Sequence, residues 1–275
     1  MTLVGLALIV PVALVLGLLA NRYLRRRFIA DDTSGPSAAA LVVSIDFLAV
    51  FFIAFVLSSA ASSFTSARNS SAKEANIVDN MFEATAYVTQ PRLKKGMQAS
   101  LVCYARAVAG PEWTAMAGGS TDTSPVPSNW TGTKPHGLRL KFQRLGITDP
   151  AFGTLSANDA ARGDARRDRL AAAKGNLPSV VFILMLALVA LTMIGYAFVM
   201  PRVKNGPQIA VLWIVALALT ASLLIIKDLN SPFSGTLRVK PTAIQESGRQ
   251  DGDDFISAYG KGQLPCDENG NPKGT

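Results

Sequence analysis

Histidine and cysteine are nearly missing from this sequence: 275 residues contain one histidine, His136, and two cysteines, Cys103 and Cys266. One histidine excludes a His-based metal cluster within a single chain, and two cysteines are too few for a Cys-rich metal site or an iron–sulfur cluster. No metal and no cofactor is expected. The common catalytic signatures are missing as well. There is no G-x-S-x-G elbow, no Walker A loop, no G-x-G-x-x-G and no H-E-x-x-H. The acids Glu74, Asp79, Glu83 and Glu112 have no spacing that joins them into a catalytic pair, so enzymatic activity is not expected.

Charge is also scarce, and where it is scarce is informative. Four long runs are almost free of it: about Leu3–Ala20, Ala38–Ala61, Leu177–Met200 and Ile209–Ile226, the last stopped by Lys227 and Asp228. Each has about the length needed to cross a hydrocarbon layer of roughly 30 Å. The reading is an all-α, polytopic membrane protein with four transmembrane helices and a helical extramembrane insert between helices 2 and 3. The chain divides into residues 1–61 with helices 1 and 2, 62–176 with the insert, 177–228 with helices 3 and 4, and 229–275 as a polar C-terminal tail. The first run has no basic stretch before it, as a signal peptide would, and is followed by Arg22, Arg25, Arg26 and Arg27. That is the pattern of a retained anchor with its N-terminus outside.

Arginines on loop one, with Arg202 and Lys204 on the loop between helices 3 and 4, place those two loops in the cytoplasm. The N-terminus, the insert and the tail are then expected outside, in a bacterial plasma membrane. Arg162, Arg166, Arg167, Arg169 and Lys174, just before helix 3, pull the other way. Short loops carry more weight, because long regions translocate largely regardless of charge. The net charge of +8 suits anionic headgroups, so lipids rather than nucleic acid are the expected partners. In this topology Cys103 and Cys266 share the oxidising side and a disulfide is open to them; two unrelated small hydrophobes are the alternative.

Within the insert, Ile77, Met81, Ala84 and Val88 recur at helical spacing, which predicts that helix 2 continues out of the membrane. A second helix is expected from Leu93 to Ala109, stopped by Gly110-Pro111, then a loop over 114–136. A short basic helix or strand should cover 137–145, and another helix should start near Ser156. The region reads as a helical hairpin too polar for a large core of its own. The tail from Ser247 reads as poorly ordered unless Cys266 pins it.

Asp46 is the sharpest single residue, since a carboxylate within a span is costly and is paired, pore-facing or proton-linked. Its readings are a pore or relay residue, a hydrogen-bonding acid between helices, or an acid that reaches water near the headgroups. An acid favours a cation or proton path. Ser44, Ser58, Ser59 and Ser62 give helix 2 a polar character, fit either for close helix packing or for a hydrated lining. The basic run at 162–174 reads as a headgroup patch or as a solvated helix face with Asp159–Arg162 and Asp164–Arg167 pairs.

The layout of two spans, a charged helical insert and two spans resembles the bacterial bestrophin-like membrane family. Residues 225–241 are similar to that family's D-x-x-x-PFSG-x-x-x-V signature through Asp228, Pro232, Phe233, Ser234, Gly235 and Val239. The acidic helix around Lys73–Glu83 and the run RRDRL resemble it too. The resemblance covers most of residues 1–241 and implies kinship with anion channels. The chain departs from true bestrophins in lacking an evident aromatic-ringed neck. On its own residues, the motif is a turn in which Phe233 anchors at the interface. Two functions remain open: an oligomeric ion channel or transport-like pore with helix 2 near its axis, or a non-transporting accessory or scaffold subunit of a larger membrane complex. Four spans cannot easily enclose a path alone, so the channel reading requires a homo-oligomer.

Overall fold

The computed structural model describes residues 3–28, 38–120, 125–175, 177–200 and 206–273. Among these are ten α-helices: α1 (Leu3–Phe28), α2 (Ala38–Ala84), α3 (Pro91–Ala107), α4 (Trp113–Ala117), α5 (Pro125–Thr131), α6 (Leu138–Leu145), α7 (Phe152–Ala173), α8 (Ser179–Val199), α9 (Gly206–Leu229) and α10 (Thr242–Tyr259). The described residues hold no strand, only an isolated bridge between Cys266 and Pro272. The protein is all-α. It divides into two compact units, Met1–Ser62 with Asn176–Asn230, and Ser63–Gly175 with Ser231–Thr275.

The first unit holds α1, the first part of α2, α8 and α9. Here Leu6, Val10 and Leu14, four residues apart on α1, join Met185, Val189 and Met193, four apart on α8, in one apolar cluster. Residues at that spacing share a helix face. Gly17 lets α1 and α8 meet closely: a Cβ there would stand 2.7 Å from the Cβ of Ala197 and 2.7 Å from the carbonyl oxygen of Ile194. One turn on, Asn21 Nδ2 donates to the carbonyls of Ala197, Phe198 and Met200 at 3.0, 2.8 and 2.7 Å, satisfying the C-terminal carbonyls that α8 cannot pair itself.

The outward faces are apolar. Leu8 and Leu16 on α1, Val43 and Val50 on α2, Val180 and Ile183 on α8, and Ile214 and Leu217 on α9 are all exposed. Only 17–33% of each span is buried within the chain. Water would not tolerate that much apolar surface, whereas a bilayer requires it. These helices cross a membrane, and the protein is a membrane protein. Residues 29–37 of loop one lie outside the described residues, as do Arg202, Lys204 and the side chains of Arg25, Arg26 and Arg27.

The second unit has a core of its own, contrary to the expectation of a polar hairpin. Tyr104, Leu101, Trp130, Leu138, Leu155, Phe233 and Phe255 are fully buried in it. The pattern is hidden in the sequence because the core is assembled from segments far apart, including Phe233, Ile244, Phe255 and Leu264 from the C-terminal region. That region is folded rather than a loose polar tail. α10 packs on α3. Cys266 forms a disulfide with Cys103 of α3, with Cα atoms 5.8 Å apart. Trp130 Nε1 donates to the carbonyl of Gly270 at 2.8 Å. Gly270 has φ +74°, and a Cβ there would stand 2.3 Å from the nitrogen of Ala107, so only glycine fits.

Helix boundaries also differ. Gly110-Pro111 does not stop the chain. It lies inside a π-helical turn, Val108–Glu112, that leads straight into α4. A wider turn relieves the proline ring's clash with the carbonyl four residues back. The expected loop over 114–136 contains α4 and the short α5 that delivers Trp130. Residues 138–145 are helical, and α7 starts at Phe152.

Candidate functional site

α2 presents a continuous face built by sequence spacing. Ser44, Leu48, Phe51, Phe55, Ser58 and Ser62 follow one another by four, three, four, three and four residues, which at 3.6 residues per turn keeps them on one side of a helix. All six are exposed, Phe51 by 61% and Phe55 by 59%. The face is polar at both ends and apolar in the middle. The serines were singled out from the sequence; the two phenylalanines were not, although the same spacing would have found them. Ser59 is half-buried, off this face.

Asp46 is half-buried and turned toward α8, where Tyr196 Oη donates to its Oδ2 at 2.9 Å. The pair stands at the rim of a cavity of about 610 Å³ lined by Val199, Met200, Val211, Leu212 and Val215. Asp46 therefore has the interhelical partner that an acid in a span needs.

The family-motif residues fall in two places. Asp228 is in the last turn of α9. Pro232, Phe233, Ser234 and Gly235 form a turn in the second unit, in which Val239 N donates to the carbonyl of Pro232 at 2.8 Å and Gly235 has φ +118°. Phe233 is no interface anchor. It is 2% exposed and meets Trp113 edge-to-face, 5.2 Å between ring centres, while Trp113 Nε1 donates to the carbonyl of Val239 at 3.2 Å. An apolar ring with a partner of this kind stabilises a core.

The basic run on α7 is largely internal. Arg169 has no exposed surface. Its Nε donates to Glu74 of α2 at 2.6 Å and its Nη2 to Glu112 at 2.5 Å. Arg166 also pairs with Glu112, Tyr104 Oη donates to Glu74 at 2.5 Å, and Arg162, bonded to Asp159 at 2.7 Å, lies over the Tyr104 ring. Burial would raise the Glu112 carboxyl, but Arg166 and Arg169 hold it below the usual carboxylate range. Burial, with Glu74 beside it, pushes the Tyr104 hydroxyl up. The Asp159–Arg162 and Asp164–Arg167 pairs both form; the first lies on the packed side of α7 and the second is solvated. Among the described residues, no three His, Cys, Asp or Glu side chains are grouped as a metal would require.

The Bestrophin-like domain model matches residues 7–244. The chain belongs to the bestrophin-like family. Its fold is similar to that of the bacterial bestrophin homologue from Klebsiella pneumoniae. One structure of that protein, solved by zinc phasing, has a TM-score of 0.67 at 11% identity, covering 94% of this chain and 99% of that one. A point-mutant structure of it has a TM-score of 0.66 at 11% identity, covering 95% and 100%. No curated protein is matched by the sequence.

Proposed function

We propose that this chain is the subunit of a homo-oligomeric ion channel of the bacterial plasma membrane, with α2 lining the axis. The observation that carries this reading is the exposed face of α2. Serines at both ends suit water and ions, and Phe51 and Phe55, one turn apart, would form apolar rings in an assembly, a constriction that gates by dewetting. These rings supply the aromatic neck that the sequence did not make evident. Membership of the bestrophin-like family supports the same reading. Ser44, Ser58 and Ser62 are the pore-facing polar residues in it. Asp46 acts as an intramembrane positioning residue that holds α2 to α8 through Tyr196. Lipids surround the assembly, and the N-terminus, the insert and the C-terminal region face outward.

The experiment is ion flux from liposomes containing the purified protein, together with its native mass in mild detergent. An oligomer that passes ions, with flux raised several-fold by Phe51→Ala or Phe55→Ala, is expected. A lone monomer, or an oligomer that passes nothing in either form, sinks the channel reading in favour of a scaffold subunit. Asp46→Asn keeps the acceptor for Tyr196 and should leave flux unchanged; an altered selectivity would place its charge in the ion path instead.

A further inference from the structure

Asp251, on α10, is 1% exposed, and its Oδ2 is the one buried side-chain oxygen or nitrogen among the described residues without a hydrogen-bond partner. An ionised carboxylate deprived of both water and donors is costly. What faces it is another carboxylate. Asp79 of α2 lies within hydrogen-bond reach, and Glu83 of α2 and Asp254 of α10 add negative charge. Nearby cations are engaged elsewhere: Arg106 of α3 with the carbonyl of Asp267, Lys95 of α3 with Gln263, and Arg249 of α10 with Glu246 and Asp253.

Packing leaves Asp251 no way out. Ile244, Gly248, Asp251, Gly252 and Phe255 form the buried face of α10. A Cβ at Gly248 would stand 2.7 Å from that of Ala105, so the helix is seated tightly. Ser247 Oγ donates to the carbonyl of Ala75 on α2 at 3.5 Å. Two carboxyl groups held together in this way cannot both ionise cheaply, but one shared proton turns their repulsion into a hydrogen bond.

We propose that Asp79 and Asp251 form a proton-bridged pair that latches α10 onto the extramembrane part of α2, and that losing the proton at alkaline pH releases α10. The Asp251 carboxyl O–H donates to the Asp79 carboxylate, which gives the orphaned oxygen its partner. Burial first, then Asp79, pushes the Asp251 carboxyl up to about 8. The folded value exceeds that of an exposed aspartate, near 4, so the closed state holds a proton that the open state gives up. The latch's contribution is full below about pH 4, declines as pH rises toward 8, and is gone above it. The latch lies wholly within the second unit and does not depend on the channel reading.

The test is hydrogen exchange of the α10 amides in the full-length protein in detergent from pH 5 to 9.5, corrected for intrinsic exchange, with α7 amides as internal control. The opening constant of α10 should rise by up to about tenfold per pH unit to near pH 8 and then level off, because one proton is released on opening. Asp251→Asn and Asp79→Asn should each flatten that profile, since an amide N–H donates to the remaining carboxylate at every pH. A flat wild-type profile, or a slope that survives in both variants, overturns the latch. Restoration of closure at pH 9 by calcium or magnesium ions alone also overturns it, in favour of a metal site.

Discussion

Arg169 is the residue on which the second unit's electrostatics turn. It lies between two buried carboxylates, and its guanidinium fork reaches both. If Arg169 is removed, Arg166 still pairs with Glu112, but Glu74 loses its guanidinium. Breaking a buried pair leaves an unpaired charge in a dry interior, at a cost of about 3–5 kcal/mol. Arg169→Met should therefore lower the melting temperature of the detergent-solubilised protein by about 10 °C. Arg169→Lys should recover little of this, because a point charge cannot serve both carboxylates as the planar fork does. A melting temperature unchanged by Arg169→Met would mean that Arg169 is not what compensates the two buried carboxylates. The acids and arginines of this cluster were legible in the sequence as charged residues, but not as a cluster. Glu74 and Arg169 stand 95 residues apart, and no local spacing marks them as partners.

At the scale of elements, legibility follows the physics that forms each helix. The four spans could be read because a bilayer requires about 20 consecutive apolar residues. The continuation of α2 could be read because Ile77, Met81 and Ala84 repeat at helical spacing. α10 could not. Two of the residues on its packing face are Gly248 and Gly252, which look like loop in a sequence and become a seat for another helix only when α3 is in place. Two glycine substitutions should separate these roles by sign. At Gly163 in α7 an added methyl meets nothing nearer than the Arg167 guanidinium at 3.6 Å, so Gly163→Ala should stabilise by about 0.5–1 kcal/mol through helix propensity. At Gly248 the same methyl would collide with Ala105, so Gly248→Ala should destabilise by about 1–3 kcal/mol. Denaturant midpoints of the two variants measure this. A stabilising Gly248→Ala would mean that α10 is not seated on α3.

For the whole molecule, the open matter in the sequence was orientation, since the arginines before helix 3 opposed those after helix 1. The length of the insert weakens that opposition, since long regions translocate largely regardless of charge. Arg162 pairs with Asp159, Arg166 with Glu112, Arg167 with Asp164, and Arg169 with Glu74 and Glu112. Four positive charges thus meet four negative ones within the same unit. The positive-inside bias counts lysines and arginines rather than net charge, so these pairs do not cancel the run; it is the length of the insert that leaves the short loops to set the expected orientation. The Cys103–Cys266 disulfide argues in the same direction, since disulfides persist in oxidising compartments. An outward-facing insert makes a direct prediction. Ser257→Cys on α10 and Tyr23→Cys near the end of α1 both place a thiol at an exposed position. In intact cells a membrane-impermeant maleimide should label the first and not the second, and lysis should make the second reactive. Labelling of Tyr23→Cys alone in intact cells would reverse the topology, and would leave the disulfide facing a reducing cytoplasm that could not sustain it.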